Sequence, residues 1–147
     1  MEDTTRKTLS SYTNQAQDVV QVNISNSISP PPEEHEISAA WIIARHYKCR
    51  IVFLKPRDGY KIKTPDFIMK ALEWEIKSPT GKAKRTIRNN IDLAKVQSEN
   101  IVIDTRRTSI ADELIERELK KQCKIKTRIS RLIMITKNEK VLEIKWR

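Results

Sequence analysis

The chain has 147 residues and a formal net charge of +10, with 29 lysines and arginines against 19 acids. This length suits one domain with its own core, and the excess of positive charge favours a polyanionic partner. Two cysteines and two histidines do not suffice for a disulfide scaffold or a structural zinc site, and two glycines exclude a Gly-rich nucleotide loop. No apolar run approaches the roughly 20 residues that a bilayer span needs.

The distribution of polar residues divides the chain into two segments. Residues 1–32 are rich in Ser, Thr, Asn and Gln and end at three prolines, so we expect a flexible polar tail, with a short strand over 19–24 as an option. Residues 33–147 are expected to form the folded domain. The first residues carry acids where a signal peptide needs bases, which predicts a cytoplasmic protein for the sequence as written.

The folded segment alternates between helical and strand patterns. In chain order we predict a helix over 33–47, strands over 49–54, 66–69 and 72–77, a helix over 82–97, a strand over 101–103, a helix from 109, and a hairpin of strands over 131–136 and 141–146. This order indicates an α/β domain with a mixed sheet and helices on its faces.

The chemistry is concentrated in the hairpin over 66–77. If residues 70–71 form a two-residue turn, Asp66 faces Glu75 across the hairpin, at about 5 Å between Cβ atoms. Two carboxylates so placed can share one divalent cation, and Lys77 lies on the same face, where it can help to activate water and neutralise a phosphate. The sequence Lys-Ala is not the usual one for such a turn. The alternative is an ordinary charged strand face.

These residues resemble a known nuclease pattern. Asp66 followed by Glu75-Ile76-Lys77, after an acidic helix, is similar to the PD-(D/E)XK nuclease motif. The resemblance extends to longer strings, namely Pro65-Asp66-Phe67, Trp74-Glu75-Ile76-Lys77-Ser78-Pro79, Arg88-Asn89-Asn90 and the run from Gln97 to Asp104. Together they resemble the tRNA nuclease domain at the C-terminus of CdiA-type contact-dependent growth inhibition toxins, over about residues 33–147.

The resemblance implies an αβββαβ core, a metal-dependent phosphodiesterase site and a dedicated immunity protein. Asp66 and Glu75 would hold Mg²⁺ or another divalent metal with the carbonyl of Ile76, and Lys77 would position the attacking water. Glu36 matches an acid that some members add to the site from the first helix. Glu33 or Glu34 could serve instead, and a simple interaction with the helix dipole is the alternative for all three.

Six further residues are expected to bind the nucleic acid: Ser78, Lys82, Arg85, Arg88, Asn89 and Gln97. Thr80-Gly81-Lys82 is predicted to open the second helix, whose free N–H groups would bind phosphate, and arginine suits bidentate phosphate contacts. A solvated basic face is the alternative. The bases Lys124, Lys126, Arg128 and Arg131 are expected to form a general electrostatic surface for RNA or an acidic inhibitor, and the role of Trp146 stays open.

The sequence therefore predicts a metal-dependent endoribonuclease, a toxin-like tRNA nuclease that an acidic immunity protein restrains. Delivery to other cells would require that the domain be part of a larger toxin. A DNA endonuclease of restriction or repair type is one alternative, because both nucleic acids present phosphates. A nucleic-acid-binding module without catalysis is another, although the set Asp66, Glu75 and Lys77 argues against it.

Overall fold

The structure is a computed structural model of the chain, and it describes residues 19–57 and 64–147. These residues form one mixed sheet of seven strands, whose order in the sheet follows their order in the chain. The strands are β1 (Gln21–Asn23), β2 (Arg50–Phe53), β3 (Phe67–Met69), β4 (Leu72–Lys77), β5 (Asn100–Asp104), β6 (Arg131–Ile135) and β7 (Val141–Trp146). The helices are α1 (Glu34–Tyr47), α2 (Thr86–Ala94) and α3 (Asp112–Ile125).

The predicted α/β architecture is confirmed. Strands β2, β3 and β4 are antiparallel neighbours, β4, β5 and β6 are parallel, and β7 returns antiparallel to β6. Strands β2, β4, β5 and β6 therefore point the same way. We call the end where they finish, beside the start of α1, the carboxyl end of the sheet. The opposite end, with the β3–β4 turn and the last residue of β7, is the amino end.

The register of the β3–β4 hairpin is the predicted one. Met69 pairs with Leu72 and Phe67 with Trp74, so residues 70–71 form a two-residue turn. Lys70 and Ala71 both adopt left-handed conformations, with φ of 52° and 63°. A type I′ turn needs these angles at both central positions, and here two side chains other than glycine or asparagine adopt them.

Two apolar clusters cover the two faces of the sheet. On one face, α1 packs its alanines and isoleucines against β2, β3 and β4, including the fully buried Trp74. On the other face, α2 and α3 pack against β5 and β6. Alternate residues of the parallel strands point to opposite faces, so both faces of β5 and β6 are apolar and these strands are buried.

Two predicted boundaries are corrected by the structure. Strand β1 lies within the predicted tail, where a short strand over 19–24 was the option, and pairs in parallel with β2, because Val20, Val22 and Ile24 find apolar partners in the α1 cluster. Ile28 is also buried, so a flexible tail does not describe residues 19–32, whereas residues 1–18 lie outside the described part. Helix α2 starts at Thr86 instead of 82. In the described ranges, no helix is long and apolar enough to cross a membrane.

Candidate active site

Asp66 and Glu75 come together at the carboxyl end of the sheet. Asp66 directly precedes β3, and its backbone N–H donates to the carbonyl of Trp74 at 2.9 Å. Its side chain is held from the same strand, because the N–H of Ile76 donates to Asp66 Oδ2 at 2.8 Å. The hairpin register that the two-residue turn imposes therefore positions the Asp66 carboxylate beside Glu75.

Lys77 completes this group. Its Nζ lies 3.2 Å from Glu75 Oε2, and its side chain is about a quarter exposed while that of Glu75 is 6% exposed. The two residues share a face of β4 because side chains alternate along a strand. The cation thus lies between the buried carboxylate and solvent, where it can reach a bound anion.

The electrostatics of the two acids are unusual. Burial, followed by the charge of Asp66, raises the pKa of Glu75 to about 8. Burial also raises the pKa of Asp66, against the lowering effect of the Ile76 N–H, and the charge of Glu36 adds to the rise. Without a bound cation, the pair therefore retains a proton at neutral pH. Glu75 Oε1 is buried and faces no hydrogen-bond donor among the described residues.

Asp66 opens onto a cleft of about 460 Å³, which Glu36 and Gln97 also line, whereas the buried Glu75 lies behind Asp66 and is not a lining residue. Glu36 lies in the first turn of α1, where one carboxylate oxygen accepts the N–H of Glu33 at 3.0 Å. Of the three acids at this helix start, Glu33 and Glu36 line the cleft and Glu34 does not. Glu36 is also the one whose charge acts on Asp66.

Two further polar atoms beside the acids have no partner within the described part of the chain. Ser78 Oγ is buried immediately after Lys77, and Gln97 Oε1 is buried at the wall of the cleft. Burying a polar group without a hydrogen bond costs about 1–3 kcal/mol. The predicted contact of Ser78 and Gln97 with the nucleic acid stays a prediction.

The other predicted substrate-binding residues lie elsewhere. Arg85, Arg88 and Asn89 are exposed at the start of α2. Arg88 lines a groove between α2 and α3, and Lys82 lines another groove against α3. The structure does not bring these residues into the carboxylate cleft.

The prediction of a helix start over residues 80–82 is wrong. This segment is a loop. The carbonyl oxygen of Gly81 accepts a hydrogen bond from the Thr108 hydroxyl at 2.5 Å and is not part of the helical hydrogen-bond pattern. A Cβ on Gly81 would also lie 2.7 Å from Thr86 Oγ1, so the loop packs closely on the first turn of α2. The free N–H groups of a helix N-terminus are therefore not available at Lys82.

Sequence reasoning missed the residues that hold α1 against this end of the sheet. Asp104, at the end of β5, is fully buried and receives Arg106 Nε and Nη2, each at 2.9 Å. The same guanidinium donates to Ser38 Oγ at 2.9 Å and to the carbonyl of His35 at 3.4 Å. Arg106 thus fixes the first turn of α1, which carries Glu36. An Asp-x-Arg spacing gives no recognisable signal for this role.

Arg57 was also missed. It lines the cleft, and its Nη2 lies 2.7 Å from Glu73 Oε1. Its backbone N–H donates to Thr64 Oγ1 at 2.8 Å, which joins the two sides of the segment between β2 and β3. Arg57 therefore brings a positive charge to a cleft whose other ionisable side chains are acids.

A family model described as the contact-dependent growth inhibition CdiA C-terminal domain matches residues 63–141. The match spans more than half of the chain and includes Asp66, Glu75 and Lys77. The chain therefore belongs to the CdiA C-terminal domain family, the toxin domains of contact-dependent growth inhibition.

Among solved structures, the chain is similar to a chain of the CdiA-CT/CdiI toxin and immunity complex from Burkholderia pseudomallei. The TM-score is 0.54 at 19% sequence identity, and the alignment covers 85% of this chain and 98% of that one. At this identity the similarity bears on the fold alone. No curated protein sequence matches the chain.

Proposed function

We propose that this domain is a metal-dependent endoribonuclease that cleaves tRNA with a PD-(D/E)XK core and acts as the toxin of a growth inhibition system. The observation that carries the proposal is the buried Glu75 with the half-buried Asp66 and Lys77 beside it. The order α1, β2, β3, β4, α2, β5 is the αβββαβ order of that superfamily, and it supports the assignment.

The donor set fits a hard divalent cation such as Mg²⁺. Burial raises the pKa of both carboxyl groups, the charge of Asp66 raises that of Glu75 further, and one buried oxygen of Glu75 lacks any donor among the described residues. The protein alone therefore satisfies this pair poorly. Oxygen ligands are what Mg²⁺ prefers. Asp66, Glu75 and the carbonyl of Ile76 would hold the ion, with Glu36 as a further ligand or neighbour. When bound, the ion would supply Lewis-acid stabilisation of the phosphate and a more acidic water.

The residues of the chain have separate tasks in this proposal. The Ile76 N–H keeps Asp66 turned toward Glu75, and Arg106 keeps Glu36 at the mouth of the cleft. Lys77 would orient the water that attacks phosphorus and stabilise the added negative charge. Ser78 and Gln97 would hydrogen-bond the phosphate or its water. The attack forms one P–O bond and breaks another, and the leaving oxygen takes up a proton.

The remaining charge favours a nucleic acid and an acidic inhibitor. A net charge of +10 attracts phosphates, and it would steer an acidic immunity protein toward the domain. The solved structure with a similar fold is a toxin and immunity complex, which supports the inhibitor. A binding module without catalysis would have no use for a buried carboxyl group that lies beside a second acid and has an oxygen without a donor among the described residues, so we do not favour that alternative.

The test is direct. Purified domain is incubated with total tRNA and, separately, with supercoiled plasmid, in Mg²⁺ and in EDTA, beside the Lys77→Ala variant. We expect the wild type to cleave tRNA in Mg²⁺. The wild type in EDTA and the Lys77→Ala variant should leave tRNA intact. Intact tRNA with nicked plasmid would instead assign a DNA endonuclease.

A second test uses a living cell. Expression of the domain in a bacterium should arrest growth and produce cleaved tRNA, and the Asp66→Ala variant should do neither. Normal growth with soluble wild-type protein would contradict the toxin assignment.

A further inference from the structure

A groove runs between α2 and α3 on the side of these helices that faces solvent. It consists of two hollows of about 440 and about 330 Å³, which meet at Glu118. The first hollow lies beside the starts of the two helices and the second lies toward their ends. Among the described residues, the hollows share no lining residue with the cleft that contains Asp66. We call the two hollows together the helix groove, which follows α3 from Leu114 to Ile125.

Apolar side chains that protrude into water lie at both ends of the helix groove. Leu114 is 54% exposed and Ile125 is 62% exposed. They belong to one stripe of α3, because residues 114, 118, 121 and 125 recur at helical spacing. Three turns of helix, or about 16 Å, separate them. Single exposed apolar residues are ordinary, whereas two that line one groove form a surface that another chain can cover.

Positive charge surrounds these apolar side chains. Six cations and two acids line the helix groove. One acid, Asp92, pairs with Lys126, and the other, Glu118, accepts a hydrogen bond from Gln122 Nε2 at 2.8 Å. Within the described ranges, the other five cations form no ion pair: Lys82, Lys84, Arg88, Arg117 and Lys121. Unpaired cations also occur elsewhere on the surface, so the groove is distinguished by the two exposed aliphatic side chains that accompany its cations.

We propose that the helix groove binds an acidic amphipathic helix of a partner protein. The apolar face of that helix would cover Leu114 and Ile125 with side chains three turns apart, and its acids would pair with the cations on either side. A helix suits a groove between two helices, because the side chains of one helix pack between those of its neighbours. The inference goes beyond the proposed nuclease activity and does not depend on it, since the surface lies outside the cleft.

The chemistry of the groove favours a protein over a nucleic acid. Within the described residues no aromatic side chain lines the groove, so a base would find no ring on which to stack. A phosphate backbone would satisfy the cations but would leave Leu114 and Ile125 exposed beside it. An acidic amphipathic helix would satisfy the cations and cover both apolar side chains. Because Lys82 and Arg88 are also expected to bind nucleic acid, a bound partner would compete with tRNA for them.

A synthetic peptide tests the groove without any substrate. The probe is a fluorescent helical peptide of alanine and glutamate with leucines at positions i, i+4, i+7 and i+11, and anisotropy with the full chain measures its affinity. The control peptide has the same composition with its leucines scattered around the helix. We expect the probe to bind at least about tenfold more tightly than the control peptide, because only the probe has an apolar face. Equal affinities would overturn the proposal.

The apolar contacts are tested by a pair of double variants. L114Q/I125Q should weaken binding of the probe at least about tenfold, because it removes both apolar contacts. The matched control is L93Q/V96Q, which changes two exposed apolar residues that do not line the groove. Its affinity for the probe should stay within about twofold of the wild type, since a surface substitution away from a contact has little effect. Equal losses in the two variants would overturn the proposal.

The charges are tested in the same way. At low salt, K84Q/R117Q should weaken binding of the probe about fivefold, and the difference should shrink as salt is added. The control K48Q/R50Q removes the same charge at the end of α1 and the start of β2, and it should weaken binding less than about twofold. Equal losses would show that the peptide responds only to net charge, and the groove would not be its site.

Binding of tRNA to the Lys77→Ala protein provides the last comparison. Adding L114Q/I125Q to this protein should change tRNA affinity less than about twofold, because phosphates make no use of aliphatic side chains. A loss as large as that for the peptide would assign the groove to RNA and overturn the proposal. None of these measurements uses cleavage. A domain that binds the peptide as expected but leaves tRNA intact would therefore support the groove and contradict the ribonuclease.

Discussion

The ends of β4 and β5 each bury an acid at the same end of the sheet, yet the two acids differ in how well they are satisfied. Asp104 on β5 is fully buried and both of its oxygens accept hydrogen bonds from Arg106. Glu75 on β4 is 5% exposed, has Lys77 at one oxygen, and faces a second carboxyl group instead of a donor.

This difference distinguishes an acid that stabilises the fold from an acid that is available to bind a proton or a cation. A buried acid with a bidentate arginine is electrostatically complete, and it serves to hold α1 on the sheet. A buried acid beside another acid is incomplete, and it is stable only with a proton or a cation. Burial alone therefore does not make an acid a candidate for catalysis, and the charges and donors around it have to be compared as well.

The largest expected effect is on activity. Lys77→Ala and Asp66→Ala should each reduce tRNA cleavage at least about 100-fold, because each removes a charge that acts on the reacting phosphate or its metal. Circular dichroism and thermal melting should stay close to those of the wild type. Glu73→Gln is the matched control, since Glu73 lies on the same face of β4 and pairs with the exposed Arg57. If Glu73→Gln reduces cleavage as much as Lys77→Ala, activity would depend on the charges of the whole strand face, and the assignment of the site to Asp66, Glu75 and Lys77 would be wrong.

The second prediction concerns Arg106, the partner that completes Asp104. Arg106→Gln should lower the free energy of unfolding by about 3–5 kcal/mol, because it leaves a buried carboxylate without its counter-charge. Urea denaturation measures this value. Arg57→Gln provides the control, because its ion pair with Glu73 is exposed and should contribute less than about 1 kcal/mol. Similar losses in the two variants would show that Asp104 does not depend on its partner.

The third prediction uses the raised pKa of Glu75. Between its ordinary value of 4.5 and about 8, the folded state holds a proton that the unfolded state has released. The free energy of unfolding should therefore fall as pH rises through this range, by at most about 1.4 kcal/mol per pH unit for this group. In EDTA the effect should appear in the wild type and be much smaller in Glu75→Gln, which should be the more stable protein near pH 8. If the free energies of unfolding of the two proteins change with pH in parallel, the pKa of Glu75 is not raised.

The smallest effect tests a cation that has no acid beside it. Arg88 is exposed at the start of α2 and forms no ion pair within the described ranges. Arg88→Gln should weaken tRNA binding by a few-fold and lower the salt slope by about one unit, as expected for the loss of one phosphate contact. Lys140→Gln at the β6–β7 turn is the control. An unchanged slope would make Arg88 a solvated surface charge.

The hairpin over residues 66–77 was predictable because two simple rules fix it. Strand alternation assigns side chains to faces, and the length of the turn then sets the register, so Asp66, Glu75 and Lys77 followed from the sequence. The unusual angles at Lys70 and Ala71 did not matter for that prediction. Local propensity disfavours this turn, and the packing of both strands against α1 overrides it.

Other features depended on distant contacts and could not be predicted. The start of α2 is displaced because Gly81 bonds to Thr108, 27 positions along the chain. Strand β1, which the sequence offered only as an option over 19–24, forms because β2 offers it an edge, although its own composition is that of a tail. The two arginines of the site region, Arg57 and Arg106, have roles that only their neighbours reveal. These are tertiary effects, and a periodic pattern carries no information about them.

The left-handed turn at Lys70 and Ala71 also affects when the site comes into being. Each non-glycine residue in this conformation costs about 1–2 kcal/mol, and an isolated hairpin is marginal even with a favourable turn. The β3–β4 hairpin therefore does not persist by itself, and Asp66 meets Glu75 only after α1 and the neighbouring strands have packed. A nascent or unfolded chain consequently has no assembled centre. If the domain is a nuclease as proposed, its activity would arise only with the last steps of folding, and the cell that makes it would need the inhibitor by that time.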